Sequence, residues 1–188
     1  EVRLPVGQRT EVTLTSNKVI HSFWIPALGG KMDMFPGRVT RLALEPETTG
    51  TYRGQCAEFC GASHALMAFQ AVVMEEVDFE RWLDEQAATA TEPEDSLARQ
   101  GKQVFLREGC AACHTVRGSA AAGSTGPDLT HVGGRTTLGA GTLPTTTDAL
   151  SRWIRHTEAI KPDARMPSYE HLDQTDLDAL GHYLKGLD

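Results

Sequence analysis

All four cysteines of this chain lie in two pairs, and each pair runs on into a histidine. Cys110-Ala-Ala-Cys113-His114 has the spacing that tethers a c-type haem. Thiols at i and i+3 lie on one side of a helical turn, so both reach a flat porphyrin while the next residue offers its imidazole to iron. Cys56-Ala-Glu-Phe-Cys60-Gly-Ala-Ser-His64-Ala-Leu-Met67 brings two thiolates, an imidazole and a thioether into twelve residues. That soft donor set suits copper. Two electron-carrying metals in one chain imply a relay.

Each motif has a plainer reading. Cys110 and Cys113 would also serve as a redox disulfide or half of a zinc site. A redox pair of this spacing belongs beside a βαβ pattern, and none is visible here. The second axial ligand of a haem would be Met166, the one methionine in residues 96–188, within Asp163-Ala164-Arg165-Met166-Pro167. The proline stiffens the loop, and Met/His ligation raises the potential and suits electron transfer. His131, His156, His171 and His182 compete for that place; the last three lie in or beside helical segments.

A single blue-copper site takes one cysteine, two histidines and a weak methionine. Two cysteines fit two coppers bridged by two thiolates better, and that arrangement needs a second histidine. His21, in Val19-Ile20-His21-Ser22-Phe23-Trp24, is the only other one in the first half. The competing readings are a Cys56–Cys60 disulfide, a buried His21 and a Met67 that only fills the core.

The elements that must position these residues differ between the halves. The first half reads as β. Thr10–Thr15 alternates with period two and turns at Ser16-Asn17, 19–25 is a second strand stopped by Pro26, and 39–44 alternates again. Residues 50–55 lead into Cys56, and 69–74 leave the motif as another strand. Short strands with regular turn signals suggest an all-β Greek-key sandwich of about 80 residues. Asp78 reads as the cap of a helix over 79–85. Residues 87–95, small and acidic around Pro93, read as a flexible linker. The second half reads as all-α: a helix opened by Asp95 or Ser96, a long Gly/Thr/Ser-rich loop over 115–147, a helix capped by Asp148, and a last one opened by Asp173. The expected organisation is therefore a domain over 1–86, a linker over 87–95 and a second domain over 96–188.

Net charge is −7 over 188 residues and is unevenly placed. Residues 1–86 carry 8 Lys/Arg against 12 Asp/Glu, 87–95 add three acids, and 96–188 balance at 10 against 10. Such a balance offers no basic face for nucleic acid and no polybasic membrane segment. No apolar run is long enough to span a bilayer, and the start is not a signal peptide. The acid excess of the first half suits a basic protein partner, or plain solubility. Haem attached to thiols points to an extracytoplasmic compartment.

Gly126-Pro127-Asp128-Leu129 after the haem motif, and Met166-Pro167 before a last amphipathic helix, resemble a class I cytochrome c over about 90 residues. The resemblance implies that the Pro127 carbonyl accepts a hydrogen bond from His114; Arg135 reads equally as a neighbour of a haem propionate and as an ordinary surface arginine. Residues 2–85 resemble the CuA domain of cytochrome c oxidase subunit II. The resemblance rests on His21-Ser22-Phe23-Trp24-Ile25-Pro26, Gly30-Lys31-Met32-Asp33, Pro36-Gly37-Arg38 and the run from Gly54 to Met67. It implies a cupredoxin-like fold whose copper ligands are His21, Cys56, Cys60, His64, Met67 and the backbone carbonyl of Glu58. The Glu58 carboxylate then reaches toward a magnesium site shared with the catalytic subunit. The N-terminal membrane helices and aromatic docking segment of that family lie outside this sequence, which reads as a trimmed or mature piece.

The fused arrangement resembles subunit II of a bacterial caa-type oxidase, on the periplasmic side of the inner membrane. The implied function is an electron relay. A soluble cytochrome, another carrier or an upstream respiratory complex reduces haem c; electrons pass to CuA and then to catalytic subunit I, where oxygen is reduced. Two rivals are the electron-transfer part of a nitrous-oxide reductase and a copper-binding redox sensor. The first needs a histidine-rich copper cluster that seven scattered histidines do not supply.

Overall fold

The computed structural model describes all residues, Glu1–Asp188. It divides into two compact units, Glu1–Glu85 with Ala140–Thr142, and Gln86–Gly139 with Leu143–Asp188.

The first unit is a cupredoxin-like sandwich. Its strands are β1 (Val2–Pro5), β2 (Thr10–Leu14), β3 (His21–Trp24), β4 (Met32–Met34), β5 (Thr40–Leu44), β6 (Gly50–Cys56) and β7 (Ala68–Met74). One sheet runs β1-β7-β6-β3-β4 and the other pairs β2 with β5. β1 is parallel to β7, and its Pro5 sits on the sheet edge, where a missing donor costs nothing. The other pairings between strands of this unit are antiparallel. Leu4, Ile25, Leu44, Ala71 and Val73 form the buried centre, with Val12, Leu42, Phe23 and Phe69 packed on it, so the core lies between the two sheets. β4 has no signal in the sequence, because three residues cannot display a period.

A close approach ties this core to the copper loop. Gly54 pairs with Phe69 across β6 and β7, and the Phe69 ring stacks on Phe23 with centroids 4.9 Å apart. A Cβ at Gly54 would lie 2.2 Å from that ring. Glycine is therefore what lets the ring lie over the strand that ends at Cys56. A helix α1 (Glu76–Ala87) follows, beginning two residues before the expected Asp78 cap, with Trp82 under the Arg3 guanidinium at 5.1 Å.

The second unit is helical: α2 (Ser96–Arg107), α3 (Thr147–Arg155), α4 (Thr157–Ile160) and α5 (Gln174–Lys185). Asp95 and Asp173 cap α2 and α5 by accepting from Ala98 N and Asp176 N. α3 departs from expectation: Thr146 is the cap, accepting from Ala149 N, and Asp148 sits in the first turn, where its charge still favours the helix dipole. α4 was not foreseen. The loop over 115–147 holds a small hairpin, β8 (Thr137–Leu138) with β9 (Leu143–Pro144). Val104, Phe105, Leu150, Ile154, Leu177, Leu180, Tyr183 and Leu184 supply the helical half of the core. α2 and α5 meet at Gly101, where a Cβ would stand 2.0 Å from the Ala179 carbonyl oxygen.

The segment expected to be a flexible linker is not free chain. Ala90 packs on the helical core and its N–H donates to the Arg117 carbonyl at 3.0 Å. Lys102 pairs with Glu92 at 2.5 Å, and His131 Nε2 bonds the Ala88 carbonyl at 3.1 Å. Small side chains lie flat against a surface, and backbone bonds hold them there; composition alone suggests mobility because it carries neither fact.

Candidate metal centres

The chain end of β6 delivers Cys56, and the loop that follows is closed on itself. Cys56 N donates to Met67 O at 2.9 Å, Ala57 N to Ser22 O at 3.0 Å and Met67 N to His64 O at 3.1 Å. Gly61 makes the turn at φ +128°, a conformation that a side chain resists. β3 brings in His21 from 35 residues away in sequence.

These bonds gather the six expected residues. Cys56 Sγ lies 3.8 Å from Cys60 Sγ, 3.8 Å from His21 Nδ1 and 3.2 Å from Glu58 O. Cys60 Sγ lies 3.5 Å from His64 Nδ1 and 3.8 Å from Met67 Sδ. The ligand atoms of His21, Cys56 and Cys60 all fall within 4.8 Å of one another. A disulfide needs about 2.05 Å, so the two sulfurs are unbonded. Donors sharing a metal through bonds of roughly 2.0–2.3 Å stand about 3.3–3.8 Å apart in a tetrahedral shell. Two thiols, each facing one imidazole, with a thioether at one end and a carbonyl at the other, fit soft metal.

One support was missed from sequence. Ser22, buried beside His21, donates to Asp33 Oδ1 at 2.7 Å, and Lys31 reaches the same oxygen at 3.1 Å. The bond from Ser22, then that from Lys31, holds the Asp33 carboxyl below its usual range. This pins β4 to β3 beside His21, the first residue of that strand. A serine and an aspartate eleven residues apart give no sequence signal of contact. Phe59, 76% exposed between the cysteines, has its ring 5.7 Å from that of His64.

In the second unit Cys110–Ala112 form a 3-10 turn entered through Gly109 at φ +76°. His114 N bonds Cys110 O at 3.0 Å, so the imidazole leaves from the end of that turn. His114 Nδ1 donates to the Pro127 carbonyl at 2.8 Å, which leaves Nε2 unprotonated, with its lone pair open to a metal. A Cβ at Gly126 would lie 2.5 Å from His114 Cε1, so that position admits only glycine beside the ring. Burial pushes the Cys110 thiol up. Met166 is half-buried against the same apolar core as Cys110, Ala111, Leu129 and Tyr169. Thr145 in this unit has a buried hydroxyl without a protein partner, an orphan that a bound group with acceptor oxygens would satisfy. The competing histidines are otherwise engaged: His131 on Ala88 O, His156 on Glu170, His171 on Glu108 and His182 on Asp95. Arg135 donates to Asp128 O at 2.6 Å.

A cupredoxin-like sandwich ending in this donor cluster, followed by a helical unit with a hydrogen-bonded Cys-x-x-Cys-His turn, defines a copper-and-haem protein of the electron-transfer class. Residues 1–77 match the family model "Cytochrome C oxidase subunit II, periplasmic domain", and residues 98–188 match "Cytochrome c". The first part of the chain is thus similar to a cytochrome c oxidase subunit II periplasmic domain and the last part to a cytochrome c. It is 40% identical over 187 residues to cytochrome c oxidase subunit 2 of Alkalihalophilus pseudofirmus, covering 100% of this chain and 54% of that protein. It is 34% identical to the same subunit of Bacillus subtilis over 197 residues, covering 100% and 55%. The chain therefore spans about half the length of these curated relatives. A solved structure of the periplasmic domain of cytochrome oxidase subunit II from Bradyrhizobium japonicum is 38% identical; it covers 45% of this chain and 62% of that one, with TM-score 0.44. No helix here is long and apolar enough to cross a membrane.

Proposed function

We infer that this chain is the electron-relay subunit of a haem–copper terminal oxidase. It takes electrons from a donor protein at its cytochrome domain and delivers them through its copper domain to an oxygen-reducing catalytic subunit on the extracytoplasmic side of the membrane. One observation carries the reading: Cys56 and Cys60 stand 3.8 Å apart, unbonded, each facing a different imidazole. Two thiols so placed would hold a pair of copper ions.

His21, Cys56, Cys60, His64, Met67 and the Glu58 carbonyl would hold the copper pair. Cys110 and Cys113 would tether haem c, and His114 and Met166 would hold its iron. When bound, these groups supply one-electron transfer over a paired and delocalised centre and a low-spin iron. The chain's own part is to hold geometry. The closed loop 56–67 keeps the donors in place whether or not an electron is present, which keeps reorganisation small. The Pro127 carbonyl fixes the orientation and tautomer of His114. The Glu58 carboxylate is free of the copper shell and is available to half of a magnesium site completed by the catalytic subunit. An N-terminal membrane anchor, preceding residue 1, belongs to the same reading.

The test is a spectrum of the purified chain after copper loading. A mixed-valence near-infrared band with matching EPR, and a pyridine haemochrome typical of two thioethers, are expected; absence of the band sinks the paired-copper assignment. Glu58→Gln is expected to leave band and EPR unchanged, since only the backbone binds, and copper loss in that variant would show a side-chain ligand. Met166→Ala is expected to convert the haem to high spin or to ligation by another group. A haem spectrum identical to the parent would remove Met166 from the axial position.

A further inference from the structure

Arg117 stands three residues after His114 and is not explained by either metal site. It sits at the junction of two networks in the helical unit. On one side its guanidinium donates to Ala87 O at 3.2 Å and to Gln86 O, while its own carbonyl accepts from Ala90 N at 3.0 Å. On the other side its backbone N–H donates to Thr130 Oγ1 at 2.9 Å, with Nε of the same residue 3.4 Å from that oxygen. Thr130 is 1% exposed, and its hydroxyl passes the contact on, donating to Asp128 Oδ1 at 2.5 Å. Asp128 Oδ1 also accepts from Thr130 N at 2.8 Å, and Arg117 Nε lies 3.7 Å from Asp128 Oδ2. Burial would raise the Asp128 carboxyl, but the two bonds from Thr130 and the charges of Arg117 and Arg135 outweigh it and lower it overall, so the turn stays anionic and bound. The residue before Asp128 is Pro127, whose carbonyl receives the His114 N–H.

We propose that Arg117 is a positioning residue for the haem: it clamps segment 86–90 and, through Thr130 and Asp128, holds the Pro127 carbonyl against His114. This rests on the assignment of His114 as the iron ligand. A firm N–H···O=C bond makes the imidazole a stronger donor, which stabilises the oxidised metal and lowers the potential. Loosening the turn weakens that bond and moves the potential up. Deleting the arginine's charge alone would move it down, so the decisive variant keeps the charge and removes the planar fork.

The experiment uses the full haem-loaded chain, with attachment checked first by pyridine haemochrome. Arg117→Lys is expected to raise the haem midpoint potential and to speed proteolytic cleavage within 86–92 by about tenfold, since two charge-assisted bonds are lost. Thr130→Val, close in shape but without the relaying hydroxyl, is expected to raise the potential while segment 86–92 stays protected. Lys102→Gln, which frees Glu92 but does not touch the Pro127 turn, is expected not to raise the potential. An unaltered potential in Arg117→Lys with haem attached overturns the proposal alone, and so does an equal upward shift in Lys102→Gln. A chain without thioether-bound haem overturns the functional reading and this proposal together.

Discussion

Cys60→Ser is expected to abolish the mixed-valence near-infrared band and to leave at most one copper per chain. Cys60 Sγ is the atom on which the cluster converges: Cys56 Sγ at 3.8 Å, His64 Nδ1 at 3.5 Å and Met67 Sδ at 3.8 Å. Serine keeps the size but replaces a soft thiolate by a hard, protonated hydroxyl at neutral pH. His64 and Met67 then have no bridging sulfur to share a metal with. Copper retention should fall on the order of a hundredfold, about 3 kcal/mol, as read by chelator competition. The fold should persist, because Cys60 is not part of the buried centre formed by Leu4, Ile25, Leu44, Ala71 and Val73. Full retention of the paired spectrum would show that the second sulfur does not bridge.

Gly101→Ala is expected to be among the most destabilising single-methyl additions in the helical unit. The new Cβ would lie 2.0 Å from the Ala179 carbonyl oxygen and 2.6 Å from Tyr183 Cβ. Neither is the end of a flexible side chain, so α2 and α5 must part along a seam that includes Val104, Phe105, Leu180 and Tyr183. Overpacking of this kind costs about 2–3 kcal/mol. For a unit of this size that lowers the thermal midpoint by roughly 10 °C or more, measured by circular dichroism or by loss of the haem spectrum. Gly134→Ala is the control, since its Cβ would meet nothing closer than 3.7 Å. An unchanged midpoint in Gly101→Ala would mean that the helices slide apart at no cost.

The same glycine shows where sequence reading stops. The apolar period of α2 passes through Gly101 and identifies the buried face, but nothing in that period says that a second helix presses backbone against it. Gly54 is similar: it reads as a strand residue beside the copper motif, and only the cross-strand pairing with Phe69 shows why no side chain fits. The α3 cap moved from Asp148 to Thr146 because both residues suit an N-terminus and only backbone geometry separates Ncap from the first turn. β4 and α4 are too short to carry a period.

The candidate sites, in contrast, are legible in the sequence because each depends on residue types at fixed short spacing. Cys110, Cys113 and His114 lie on one turn, and Cys56, Cys60, His64 and Met67 lie on one loop, so local backbone geometry already brings them together. The all-β and all-α character of the halves followed from periods of two and 3.6, which report which face of each element is dry. Tertiary structure decided what must cross the chain. It placed His21 beside Cys56 through strand pairing, brought the Pro127 carbonyl to the imidazole of His114, and laid residues 86–92 along the helical unit through Arg117 and His131. Contacts between residues far apart in sequence depend on packing and on hydrogen bonds closed only in the folded chain, and no spacing rule records them.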